Sequence, residues 1–190
     1  MYQAVVIGGS AGVLHALFVI LEELPADYPI PIIVVQHRTN DHSDLFEQVL
    51  QYKSKIRIKQ ADEKEEISAG VVYVAPPDRH LIVRSQTEIG VTQGEKVGWW
   101  RPAVDALFLS AAEIFQDRTV AVVLSGVMWD GAAGMAAVAR AGGITIAQDE
   151  QSASYFDMPA AALDLGHADV MLNPAKMAEA LQVLAEAPLV

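Results

Sequence analysis

The sequence predicts an α/β fold in which a mostly parallel sheet is covered on both faces by helices. Two patterns carry that prediction. Short β-branched runs alternate along the chain with stretches of helical periodicity, and Gly, Pro or Asn punctuates most of the junctions between them. No linker, repeat or low-complexity stretch divides the 190 residues, and 52% of them are hydrophobic. A chain of this length buries roughly 70% of the surface it exposes when unfolded, so residues 1–190 are read as one domain around one sizeable core.

Gln3 to Ile7 reads as a strand that stops at Gly8-Gly9, after which apolar residues recur at Val13, Leu14, Leu17, Phe18, Leu21 and Leu24 with helical spacing. Ile32 to Gln36 is a second, buried strand following the proline-rich turn at 25–31. A helix over about 43–52 then leads to a strand at Ile56 to Lys59. Val71 to Ala75 is again a strand. Pro76-Pro77-Asp78 turns the chain into Leu81 to Val83 and Glu88 to Val91, a hairpin-like excursion that makes the middle of the chain antiparallel. Arg101-Pro102 opens a helix, with Pro at its first position, that runs to Phe115. Thr119 to Leu124 is a fully apolar strand, and Asp130 to Arg140 an alanine-rich helix closed by Gly142-Gly143. Ile144 to Ala147 and Asp169 to Leu172 complete the strands. A short helix after Pro159 lies between them, and an Asn173-Pro174 cap opens the last helix.

Composition removes several classes of function. A formal net charge of -11 with no basic stripe disfavours nucleic acid, which is held through clustered Lys and Arg. The absence of cysteine excludes disulfides, thiol nucleophiles and thiolate metal sites. The longest apolar stretch in the first helix, Ala16 to Leu21, is too short to insert into a bilayer, and Met1-Tyr2-Gln3 lacks the basic start of a signal peptide. The expectation is a cytoplasmic protein with no membrane insertion.

Gly8-Gly9-Ser10-Ala11-Gly12 satisfies G-x-S-x-G between a strand and a helix, where a serine hydroxyl sits on a tight turn and the N–H groups near Ala11 face any oxyanion formed upon attack by Ser10. By itself the motif also suits a packing turn. His37 ends the second strand and Asp130 follows the Thr119 strand, so all three groups fall at strand C-termini, where open α/β sheets bind ligands. Serine needs a base to take its proton, and histidine a carboxylate to fix its tautomer, with Nδ1 toward Asp130 and Nε2 toward Ser10. The plainer readings are a polar strand end for His37 and an N-cap of its own helix for Asp130. The order Ser, His, Asp departs from that of the α/β-hydrolases.

Nucleotide binding at the first turn fails twice. Ile7 stands where G-x-G-x-x-G needs its first glycine, and no acidic residue ends the second strand. His37, Asp41, His42 and Asp44 crowd together, but Asp41 and Ser43 suit helix caps and the spacing fits no dedicated site, so no metal and no other cofactor is expected. His15, His80 and His167 read as structural or solvent-facing. Arg101 and Asp105 suit capping, a salt bridge or a place near substrate. Trp99-Trp100 suits either a substrate wall or a hairpin cover.

Six blocks in order resemble the catalytic domain of the chemotaxis protein-glutamate methylesterases, the CheB family: VVIGGSAG at 5–12, VVQH at 34–37, YVAPPDRHLIV at 73–83, RPAVDALFLSAA at 101–112, LSGVMWDGAAGM at 124–135 and AQDEQSASYFDMP at 147–159. That resemblance implies a three-layer α/β/α sandwich with about seven strands, mostly parallel and doubly wound, and an antiparallel hairpin. It also implies Ser10 as nucleophile, His37 as base and Asp130 as its orienting partner. The implied substrates are γ-glutamyl methyl esters on the cytoplasmic helices of methylated chemoreceptors, hydrolysed to glutamate and methanol, with glutamine deamidation in some relatives. The chain departs from the family pattern at Ala11 and Val13, usually Thr and Gly, at Val127-Met128, usually Met-Gly, and at Asp157, usually Gly. Those changes motivate an alternative, a catalytically weak adaptor that binds a receptor or signalling partner. The family's familiar form carries a receiver domain ahead of the catalytic strand with which this chain begins, so the expectation is regulation by a separate protein, by expression, or none.

Overall fold

A computed structural model describes residues 1–38, 45–164 and 167–187. Its element order is β1 (Ala4–Gly9), α1 (Val13–Glu23), β2 (Ile32–Gln36), α2 (Phe46–Gln51), β3 (Arg57–Gln60), β4 (Val71–Val74), β5 (His80–Ser85), β6 (Glu88–Thr92), α3 (Val104–Phe115), β7 (Thr119–Val123), α4 (Ala132–Arg140), β8 (Ile144–Gln148), α5 (Asp157–Asp164), β9 (Val170–Leu172) and α6 (Pro174–Glu186). Among the described residues no helix is long and apolar enough to cross a membrane.

Seven strands form one sheet in the order β3-β4-β2-β1-β7-β8-β9, and every neighbouring pair is parallel. Side chains alternate across it. Val5 and Ile7 join Leu17, Ile20 and Leu21 of α1 and Met177 and Leu181 of α6 in one core layer, while Ala4 and Val6 join Leu107, Phe108 and Ala111 of α3 and Met135 and Val138 of α4 in the other. Burial on both faces is why these strands read as continuous apolar runs rather than as alternating ones. The hairpin β5–β6 stands apart as a two-stranded antiparallel sheet. It packs on α3, where Val83 N–H donates to Ser110 Oγ at 3.0 Å.

The chain leaves β1 for α1 on one face and leaves β7 for α4 on the other, although β1 and β7 are neighbours. Their C-terminal ends therefore flank a switch point, where loops diverge and open a crevice. Gly8 permits the close packing beneath it: a Cβ there would lie 2.1 Å from Val104 Cγ1, so only glycine lets the start of α3 rest on the end of β1.

Three helix starts differ from the sequence expectation. The first helix turn of α3 begins at Val104 rather than Pro102, because its end groups are capped from elsewhere, as described below. α4 begins at Ala132 with Gly131 at its N-cap, so Asp130 does not cap its own helix. α5 begins at Asp157 and carries Pro159 inside its first turn, where proline is tolerated. The Asn173 cap is as expected: its side chain accepts from Lys176 N–H at 3.0 Å, and Pro174 is the first residue of α6. The helix expected over 43–52 is present as α2, with positions 43 and 44 outside the described residues.

Candidate active site

Ser10 follows directly from β1 and is nearly buried, at 7% exposure. Its turn is braced from the neighbouring strand. Ser10 N–H donates to Ser125 O at 2.9 Å, Ser125 Oγ–H donates to Ala11 O at 2.8 Å, and Ser125 Oγ accepts from Tyr155 N–H at 3.0 Å. Gly126 must be glycine, since a Cβ there would meet Met158 Sδ at 2.1 Å and Ser10 Cβ at 2.9 Å. The segment after β7 and the segment before α5 thus hold the serine turn between them. Sequence reasoning passed over Ser125, whose signal was only a small polar residue ending an apolar strand.

His37 lies one residue beyond the β1–β2 register, in which Gly9 pairs with Gln36, and its N–H donates to Gly9 O at 3.2 Å. Parallel pairing therefore sets Ser10 and His37 side by side. The next residue anchors the strand end: Arg38 pairs with Glu47 and donates to Ala75 O at 3.2 Å. The imidazole meets Asp130 through Nε2, at 2.6 Å from Oδ2. This corrects the expectation that Nδ1 would face the carboxylate. Nδ1 is buried and has no hydrogen-bond partner among the described residues, the Ser10 hydroxyl included.

Asp130 is 5% exposed and accepts from two further donors. Val104 N–H reaches Oδ2 at 2.6 Å and Asp105 N–H reaches Oδ1 at 2.9 Å. The carboxylate caps the start of α3, a helix 26 residues away, and the partial positive charge of that helix end compensates its burial. Asp130 thus contacts His37 and caps α3 through different donors, and the expected cap of its own helix is not made.

Trp100 covers the ring. Its indole and the His37 imidazole are stacked, with centroids 3.8 Å apart and planes 6° from parallel. Trp99 points outward and is largely exposed, as are Trp129 and Tyr155. Arg101 is a strut: it pairs with Asp78 at 2.8 Å and donates to Gly94 O at 2.9 Å. His80 is structural, with Nδ1 accepting from Ala103 N–H at 3.3 Å and Nε2 at 2.9 Å from Glu95 O. His15 is exposed and His167 half-buried. Asp41, His42 and Asp44 lie outside the described residues.

Residues 5–181 match the CheB methylesterase family. The chain belongs to that family. A relative from Leptospira interrogans is 39% identical over 178 residues, which cover 94% of this chain and 92% of its own. The protein-glutamate methylesterase/protein-glutamine glutaminase of Thermotoga maritima is 37% identical over 182 residues, covering 94% of this chain and 53% of that one, so this chain spans about half of some relatives. The crystal structure of the Thermotoga maritima CheB methylesterase catalytic domain superposes with a TM-score of 0.93 at 36% identity, covering 97% of this chain and 99% of that domain. The parallel sheet with a separate hairpin is the CheB catalytic fold, and membership makes the chain a carboxylic ester hydrolase by class.

Two departures from the CheB pattern meet in space. Met128, where the family pattern has glycine, adopts φ 70°, a left-handed conformation, and its N–H donates to Asp157 Oδ2 at 3.4 Å, Asp157 being another altered position. The loop keeps a glycine-like shape in the absence of glycine. That conformation costs roughly 1–2 kcal/mol for a residue with a Cβ, against roughly 0.5–1 kcal/mol that glycine loses in chain entropy. Met128→Gly is therefore expected to leave stability unchanged or raise it by up to ~1 kcal/mol. Chemical denaturation checks this, and a clear loss of stability would show that the Met128 side chain contributes more than its backbone costs.

Asp105, beside Asp130 in the first turn of α3, has its pKa pushed up to about 6, first by burial and then by the Asp130 charge, against N–H donors from Gly134 and Gly131. With an unfolded value near 3.9, the folded protein binds the extra proton between about pH 4 and 6. The contribution of this group to stability therefore falls as pH rises through that window. Asp105→Asn, which cannot ionise, is expected to gain stability relative to the parent on going from pH 4.5 to pH 7. Denaturation of both proteins at the two pH values is the measurement, and an unchanged difference between them would dismiss burial as the cause.

Proposed function

We propose that this chain hydrolyses γ-glutamyl methyl esters on the cytoplasmic helices of chemoreceptors, with Ser10 as nucleophile, His37 as general base and Asp130 as the group that orients it. One observation carries the reading. His37 is tied to Asp130 through one ring nitrogen, and its other nitrogen is buried and unpartnered at the strand end beside Ser10. A buried polar atom without a partner is costly, and a proton received from Ser10 is the partner that chemistry supplies.

In the first half-reaction Ser10 Oγ attacks the ester carbonyl while its proton passes to His37 Nδ1. The C–O bond to the methoxy group then breaks, and methanol leaves with that proton. Water repeats the sequence on the acyl-enzyme, giving up a proton to Nδ1 and releasing glutamate as Ser10 recovers its hydrogen. Ser10 N–H is occupied by Ser125 O, so the oxyanion donors are assigned to the N–H groups of Ala11 and Val127. Apo sites commonly hold such hydrogen bonds open until substrate arrives, in keeping with the unmade Ser10–His37 bond. The names of relatives include glutaminase activity. The same attack upon a primary amide, with ammonia as leaving group, extends the proposal to glutamine deamidation.

Ser10→Ala is expected to abolish methanol release from methylated receptor membranes without altering the melting temperature, since among the described residues the side chain donates to no group that holds the turn. Undiminished turnover by the folded variant would remove the nucleophile assignment, whereas absence of methanol release by the parent would favour a non-catalytic adaptor.

Asp130→Asn carries a second expectation. An amide NH2 would face one of the three donors now shared between the two oxygens, at a cost of roughly 1–3 kcal/mol for the unsatisfied group. The acylation rate should fall by several orders of magnitude, with ~10⁴ as the precedent from a serine protease. A lowered melting temperature with near-parental kcat would leave Asp130 a helix cap alone.

A further inference from the structure

The imidazole of His37 is held at one polar point, the 2.6 Å contact of Nε2 with Asp130 Oδ2. A planar ring tied at a single nitrogen remains free to tilt about that tie. What removes the tilt is the parallel indole of Trp100, 3.8 Å from the imidazole centroid. Trp100 is itself fixed. Its N–H and C=O pair with Val97 at 3.1 Å each, Arg101 is pinned to Asp78 and Gly94, and Ala103 N–H is bound by His80. The indole is mounted on a clamped turn, whereas its neighbour Trp99 is largely exposed.

We propose that Trp100 is a positioning residue for the ester hydrolysis. Its indole fixes the plane of the His37 ring so that Nδ1 stays toward Ser10, and the indole face stabilises the imidazolium that exists while His37 carries the Ser10 proton. The chemistry behind it is the attraction of a desolvated cation for the negative face of an indole, the strongest of the aromatic side chains in this respect. Neutral imidazole gains less from the same face, so the contact favours the transition state over the ground state, which is the condition for raising kcat rather than lowering KM. The inference rests on His37 being the base.

The experiment compares Trp100→Leu and Trp100→Phe with the parent on one methyl-ester substrate, with melting temperatures and the NMR signals of the His37 ring protons recorded for each. In Trp100→Leu, kcat should fall about tenfold, the factor that ~1.4 kcal/mol of lost transition-state stabilisation produces, with KM unchanged. Its His37 ring signals should move downfield as the indole ring current is lost. Trp100→Phe should restore most of kcat and keep the ring signals shielded. Parental kcat in folded Trp100→Leu, a change confined to KM, or equal losses in the Leu and Phe variants would each overturn the proposal. Failure of the underlying triad is distinguishable, because in that case Ser10→Ala would remain active, whereas failure of this inference alone leaves a Ser10-dependent enzyme indifferent to residue 100.

Discussion

The Asp130 carboxylate is the joint on which the site depends. It accepts from His37 Nε2, Val104 N–H and Asp105 N–H, joining the loop after β7 to the ring at the end of β2 and to the start of α3. A buried carboxylate is costly without such partners. Here the compensation comes from a helix end and an imidazole, with no Lys or Arg among its hydrogen-bond partners in the described residues. The capping bonds hold the carboxylate in place, and the same oxygen that accepts from Val104 N–H meets His37 Nε2.

The sheet supplies the setting for that joint. β2, β1 and β7 are consecutive neighbours, so His37, Ser10 and Asp130, distant in sequence, leave three adjacent strand ends. Because the chain departs to opposite faces after β1 and β7, the loops part at this point. Small residues at Gly8 and Gly126 then let α3 and the serine turn close to within contact distance of the strands. The parts of the site lie on strand ends, on a helix start and on a turn that Arg101 clamps.

The loop that departs from the family pattern at Val127 and Met128 carries one of the left-handed non-glycine residues. Met128 holds a left-handed conformation between Val127, an assigned oxyanion donor, and Trp129, which is largely exposed. Neighbouring bonds over-determine it: Gly126 N–H donates to Tyr155 O, Gly126 O accepts from Met158 N–H, and Asp157 accepts from Met128 itself. Strained residues persist where the surroundings dictate their shape, and this loop is tied at several points to the segment before and within α5.

The sequence by itself determined the α/β class, the parallel rhythm, the Asn173 cap, and the placement of Ser10, His37 and Asp130 at strand ends. Each of these follows from local propensity and from the period of apolar residues, which are properties of nearby positions. Tertiary structure alone decided the rest. It set which ring nitrogen meets Asp130, that Asp130 caps α3 rather than α4, that α3 starts at Val104 rather than Pro102, and that Trp100 lies upon His37 while Trp99 faces solvent. Those facts depend on pairs separated by 25 to 93 residues and on the close approaches that individual glycines permit. A linear pattern does not contain them, because the energy of a cap or a stacked ring resides in the partner that folding brings to it.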